Sequence, residues 1–152
     1  MNILLVYATN SGTTQTVAQM ISDALTAASH TVTVKEARST APEDFTGPQA
    51  IILGSPSWDF DGNEGFPHED LLSLMDKTKT ITVAKPFAIF GLGDSSYKFY
   101  NGAVDHLEEF VKNIGGTLLI PSLKIDNYYS DMDGNNAKIN TWIEELKNKL
   151  TT

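Results

Sequence analysis

The chain has 152 residues, enough for one domain of ordinary size, and 41% of them are hydrophobic, a globular rather than a disordered composition. There is no cysteine, which excludes disulfides, thiolate chemistry and cysteine-ligated iron–sulfur clusters, so a redox role would need an organic cofactor or another type of metal. The net charge of −8 argues against nucleic acid and anionic membranes and favours basic protein partners, although acidity also serves solubility alone.

Residues 3–7 (Ile-Leu-Leu-Val-Tyr) form a short unbroken apolar run, the pattern of a strand buried on both faces. After a Thr/Ser/Gly turn, Val17, Met20, Ile21, Ala24, Leu25 and Ala28 recur at spacings of three and four, the apolar stripe of a helix. Residues 31–35 alternate, with Val32 and Val34 on one face of a second strand. Pro42 suits the first turn of a short helix through Phe45. Residues 50–54 read as a third buried strand, 68–75 as a helix and 86–91 as a fourth strand. Val104, Leu107, Phe110, Val111 and Ile114 mark a helix ended by Gly115-Gly116. Residues 117–120 and 123–125 make a fifth strand region, and Ile139, Trp142, Ile143 and Leu146 mark the last helix. The stretch Asp131-Met132-Asp133-Gly134-Asn135-Asn136 has its Gly misplaced for a calcium loop and no closing Glu; it reads as a turn and helix start.

Strands alternating with helices predict right-handed βαβ units, hence an α/β fold with a five-stranded parallel sheet covered on both faces. No linker, repeat or low-complexity tract interrupts the pattern, so one domain over 1–152 is expected. No leader pattern opens the chain, and the apolar runs are far too short to span a bilayer; a cytoplasmic location is expected. In such sheets ligands bind beyond the carboxyl ends of the strands, which directs attention to the loops after strands one, three and four.

The first loop, Thr9-Asn10-Ser11-Gly12-Thr13-Thr14, joins a buried strand to a helix. Its amides and hydroxyls therefore gather at a helix N-terminus, where the dipole and unpaired N–H groups favour an anion. No Lys or Arg precedes Lys35, so neutral donors would hold a phosphate here. The loop is neither a Walker loop nor G-x-G-x-x-G. Thr and Ser could also serve merely to cap the helix. The stretch Tyr7 to Thr14 resembles the flavodoxin phosphate loop: Thr9, Ser11, Gly12 and Thr14 match, and Asn10 and Thr13 fill its variable positions. In that family the loop wraps the 5′-phosphate of FMN.

The third strand leads into Gly54-Ser55-Pro56-Ser57-Trp58-Asp59. An aromatic at a buried strand's carboxyl end can stack on a flat ligand, and Trp58 would serve equally as a loop anchor. In flavodoxins an aromatic here covers the inner face of the isoalloxazine ring. The fourth strand leads into Gly91-Leu92-Gly93-Asp94-Ser95-Ser96-Tyr97-Lys98-Phe99-Tyr100-Asn101-Gly102-Ala103-Val104-Asp105, similar to the family's second flavin loop. The resemblance implies Tyr97 on the outer face of the ring and the backbone of Leu92 to Asp94 at its pyrimidine edge. It spans nearly the whole chain and implies the flavodoxin-like doubly wound sheet, order 2-1-3-4-5. That order is itself a family property, so it is no separate support. The short path from Thr117 to Asp126 resembles the short-chain subgroup.

The function implied is an electron carrier: a monomer holding FMN non-covalently at low potential between redox enzymes. Two aromatic faces lower the local dielectric and make an anionic reduced flavin costly. Asp59, Asp61, Glu64, Glu69, Asp70, Asp94, Asp126, Asp131 and Asp133 form an acidic rim that could repel that charge or steer basic partners. Asp59 departs from the family, where Gly commonly follows the aromatic and turns its peptide toward reduced flavin N5. Gly62 is the candidate to supply the missing flexibility, and weaker semiquinone stabilisation is expected.

His30, His68 and His106 are scattered and do not suggest a metal site, and no G-x-S-x-G elbow exists. The competing reading is an FMN-dependent NAD(P)H reductase of the quinone-reductase kind. It needs a second pocket over the flavin, for which Trp58 and Tyr97 leave little room. A receiver domain would require acidic residues where Ala8-Thr9 and Gly54-Ser55 stand. A domain that has lost its flavin fits poorly with the intact phosphate loop.

Overall fold

The computed structural model describes residues 1–60, 62–96 and 101–151. In chain order its elements are β1 (Asn2–Tyr7), α1 (Thr13–Ala27), β2 (Thr31–Glu36), β3 (Ala50–Pro56), β4 (Trp58–Phe60), β5 (Asn63–Phe66), α2 (Glu69–Thr78), β6 (Pro86–Gly93), α3 (Gly102–Asn113), β7 (Thr117–Leu118), β8 (Leu123–Asp126) and α4 (Met132–Leu150). Short 3-10 turns cover Ala37–Ser39, Pro42–Phe45 and Tyr128–Ser130.

The main sheet is parallel, with β2, β1, β3 and β6 side by side and both β7 and β8 against β6. This is the expected flavodoxin-like order, with the fifth strand in two pieces. Pro121, which has no amide hydrogen to give a ladder, stands between the pieces. Its carbonyl instead accepts from Trp142 Nε1 at 2.9 Å.

Strand alternation divides the core between the two faces. Ile3, Leu5, Ile52 and Phe90 pack with Val17, Ile21, Ile139 and Ile143, so α1 and α4 cover one face. Leu4, Val6, Ile51, Leu53 and Ile89 pack with Leu71, Leu74, Val104 and Leu107, so α2 and α3 cover the other. The runs in β1 and β3 carry no polar alternation because both faces are buried.

Two differences from the sequence-based expectation concern the region after β3. The segment after β3, expected as loop, folds into an antiparallel hairpin of β4 with β5. Helix α2 begins one residue later than predicted and runs three further: His68 is its N-cap, Nδ1 accepting from Asp70 N at 3.1 Å. At its other end the Thr78 hydroxyl donates to the Leu74 carbonyl at 2.7 Å. Among the described residues no helix is long and apolar enough to cross a membrane.

Candidate cofactor site

A cavity of about 550 Å³ opens beyond the carboxyl ends of β1, β3, β6 and β8. That lies within the roughly 300–1,000 Å³ typical of small-ligand sites. Its first wall is the turn into α1, through Asn10, Ser11, Thr13 and Thr14. Gly12 takes the left-handed conformation (φ 93°) and caps α1 without a side-chain bond, leaving the first-turn amides free of a capping side chain. Thr9 shapes the turn instead, its Oγ1 accepting from Gly12 N at 2.8 Å. Among the described residues lining the cavity there is no Lys or Arg. The wall thus offers neutral donors and a helix dipole, a donor set suited to a phosphate ester.

The second wall comes from the end of β3 and the hairpin: Pro56, Ser57, Trp58, Glu64 and Gly65. Trp58 leaves 42% of its surface exposed, an unusual position for an indole that serves packing alone. Ser57 joins two loops. Its amide donates to the Leu92 carbonyl at 2.8 Å, and its hydroxyl accepts from Ala103 N at 3.1 Å, capping α3 from another strand's loop.

The floor is the end of β6, Leu92, Gly93 and Asp94, with Asn101 beside it. Asn101 is fully buried with φ 51° and donates through Nδ2 to the Ile125 carbonyl at 3.1 Å. The two glycines make room for it. A Cβ on Gly93 would stand 2.9 Å from Asn101 N, and one on Gly91 would stand 2.7 Å from Asn101 Oδ1. Gly91 therefore serves this packing and does not line the cavity. Asp94 turns back on its own loop: the Ser96 hydroxyl and then the Ser96 amide hold its carboxyl below the ordinary carboxylate range.

The proposed contacts thus separate into groups. Asn10, Ser11, Thr13, Thr14, Pro56, Ser57, Trp58, Leu92, Gly93, Asp94 and Asn101 meet around one cavity, whereas Thr9, Gly12, Gly62 and Gly91 are not on its lining. Asp59 is the middle residue of β4, and Gly62 follows in the hairpin turn with φ 81°. Tyr97, Phe99 and Tyr100 lie outside the described residues. Sequence reasoning placed Glu64 in the acidic rim but not on the lining, and missed Gly65, Asn127, Tyr128 and Tyr129. Two adjacent aromatics directly after a strand end were a usable signal for the last group.

A doubly wound sheet whose switch-point cavity joins a cation-free anion cradle to an aromatic mouth defines the class of small flavin-carrying domains. The comparisons with known proteins agree with it. The flavodoxin family model matches residues 5–142, and the chain belongs to the flavodoxin family, in its short-chain form. A Bacillus subtilis (strain 168) protein named "Probable flavodoxin 2" is 39% identical over 126 residues, 82% of each chain. Oxidised flavodoxin 2 from Bacillus cereus superposes with a TM-score of 0.88 at 30% identity, covering 98% of this chain and 99% of that one. The fold is also that of a Fusobacterium nucleatum flavodoxin bound to flavin mononucleotide (TM-score 0.82, 20% identity, 97% and 98% of the two chains). The family's cofactor is FMN, and its members are electron carriers rather than enzymes.

Proposed function

We propose that residues 1–152 act as one cytoplasmic, monomeric domain that carries electrons on non-covalently bound FMN at low potential between larger redox enzymes. The observation that carries this reading is the pairing, in one cavity, of an uncapped, cation-free turn at α1 with the exposed indole of Trp58. In this reading Thr9 to Thr14 hold the phosphate through amides and hydroxyls. Pro56, Ser57 and Trp58 cover the inner face of the ring, with Asp59 and Gly62 behind them. The backbone of Gly91 to Asp94 and Asn101 meets the pyrimidine edge, and Tyr97, with Phe99 and Tyr100 in the same loop, covers the outer face. Bound FMN supplies the electron-accepting and electron-donating chemistry.

The protein contributes the surroundings. Trp58 excludes water from the ring, and the carboxylates of Glu64 and Asp94 on the lining disfavour added negative charge, which lowers the potential. The net charge of −8 steers basic docking surfaces toward the molecule in a salt-dependent way.

The absorption spectrum of the purified protein tests the reading, and a yellow protein with bound flavin is expected. A colourless protein that leaves the fluorescence of added FMN unquenched overturns it. Rapid bleaching of the bound flavin by NAD(P)H alone would point to a reductase instead.

A further inference from the structure

We infer that Tyr129 is a third aromatic contact for the bound cofactor, reaching it from the α1 and α4 side of the sheet, opposite the hairpin that carries Trp58. The inference rests on the reading that the cavity holds FMN.

Tyr128 and Tyr129 line the same cavity as Trp58 and the turn into α1. Their side of the sheet follows from packing: Tyr128 belongs to the core shared with Val17 and Ile139, that is, with α1 and α4. Trp58 arrives from the other side. Its hairpin rests on α3, where a Cβ on Gly102 would stand 2.6 Å from the Gly65 carbonyl oxygen.

The segment bearing Tyr129 is held in place rather than loose. Asn127 takes a left-handed conformation (φ 44°) and donates its amide hydrogen to the Gly93 carbonyl at 2.8 Å. The Asn135 side chain donates to the carbonyls of Asp126 at 3.1 Å and Tyr128 at 3.2 Å. Tyr128 is buried, and its hydroxyl donates to Asn136 Oδ1 at 2.7 Å. Tyr129 leans edge-on against that fixed ring, centroids 5.1 Å apart, yet remains 63% exposed. A large aromatic carried on an anchored turn, braced on one edge by Tyr128 and left uncovered at a cavity wall, offers a ligand broad apolar contact at the low entropic cost of two χ angles. The α1 turn supplies the donors for a phosphate, so the aromatic ring of Tyr129 is left to meet the uncharged part of the cofactor that FMN and riboflavin share. The contact is made by the ring of Tyr129.

Fluorescence titration of the flavin-stripped protein with FMN and with riboflavin tests this. Tyr129→Ala is expected to weaken both flavins by a similar factor, roughly three- to tenfold. Tyr129→Phe is expected to stay within about twofold of wild type, because the ring is retained. Unchanged affinity in Tyr129→Ala overturns the inference, and so does a loss confined to FMN or one as large in Tyr129→Phe. A wild-type protein that binds neither flavin would instead sink the FMN reading itself. Since the side chain is mostly exposed, an unchanged thermal midpoint in both variants confirms that folding is not what changed.

Discussion

The Ser55 hydroxyl accepts the amide hydrogen of His68 at 2.9 Å and donates to the Pro56 carbonyl at 2.8 Å. This bond closes the base of the β4–β5 hairpin between the end of β3 and the cap of α2. Ser55 and His68 are both buried, so neither group has ready access to water. Ser55→Ala strands the His68 N–H, a loss of about 1–3 kcal/mol. The expected result is a lower urea midpoint with an unchanged slope and, because Trp58 stands on the loosened hairpin, weaker FMN binding. A variant with the wild-type midpoint would show that the hairpin is not held there.

Lys85 is a structural cation. Its Nζ donates to the carbonyls of Phe45 at 2.9 Å, Thr46 at 2.6 Å and Pro48 at 2.6 Å, closing the end of the 3-10 turn that leads into β3. Lys85→Met keeps the aliphatic stem but removes the three donors, and should cost about 2 kcal/mol. Arg is a poor rescue, since its planar fork cannot converge on three carbonyls as an ammonium does. None of these residues lines the cavity, so flavin affinity should not change. A fall in affinity equal to that of Ser55→Ala would contradict this separation.

The parts of the fold that were legible are those in which one physical demand dominates. The runs in β1 and β3 show no alternation because both faces are buried, and the stripe in α1 repeats because one face is. The hairpin was illegible because β4 has only three residues and includes Asp59, while β5 opens with Asn63 and Glu64. Three and four residues are too few for a period-two pattern to stand out from a loop. The turn into α1 and Trp58 could be placed because they directly follow strands already recognised. Tyr128 and Tyr129 follow a strand as well, but β8 has four residues of mixed burial and is the second piece of a strand interrupted at Pro121, which obscures its carboxyl end. Gly91 has the opposite lesson: a glycine in a ligand-loop pattern can serve the packing of a neighbour, here Asn101.

Acid should weaken the fold in two steps. Burial, and then the nearby N-terminal ammonium, hold the His30 pKa below its ordinary 6.5. As the pH falls below about 6.5 the unfolded chain therefore takes up a proton that the folded one refuses, and stability is lost until folded His30 itself titrates. Asp44 follows the same sign at lower pH. The Ala41 amide at 2.8 Å, and then Lys35 at 3.0 Å, hold its carboxyl below the ordinary 3.8. Its contribution is complete above the unfolded carboxylate range and disappears as the pH falls through the folded value. Urea midpoints measured from neutral to acid pH should show both declines. His30→Gln should flatten the upper one and Asp44→Asn the lower; a variant with the wild-type profile would remove its residue from the account.

Asp59 provides the sharpest test of how the flavin is tuned. It sits where the β4–β5 ladder shifts register between Trp58 and Phe60, while the left-handed positions of the hairpin fall at Gly62 and Gly65 (φ 81° and 82°). A non-glycine residue pays roughly 1–2 kcal/mol to enter that region, and the pairing of the two neighbours of Asp59, Trp58 with Phe66 and Phe60 with Asn63, restrains the segment further. The peptide after Trp58 therefore resists turning over, where a glycine would be free to turn its carbonyl toward the flavin. Asp59→Gly removes the barrier without touching the α1 turn, so the affinity for oxidised FMN should stay within about twofold, the small change expected when no direct contact is lost. During reductive titration the variant should develop more long-wavelength absorbance at half reduction than wild type. If the wild-type band is already large and the variant matches it, the backbone at Asp59 does not limit one-electron chemistry, and Gly62 becomes the position to test.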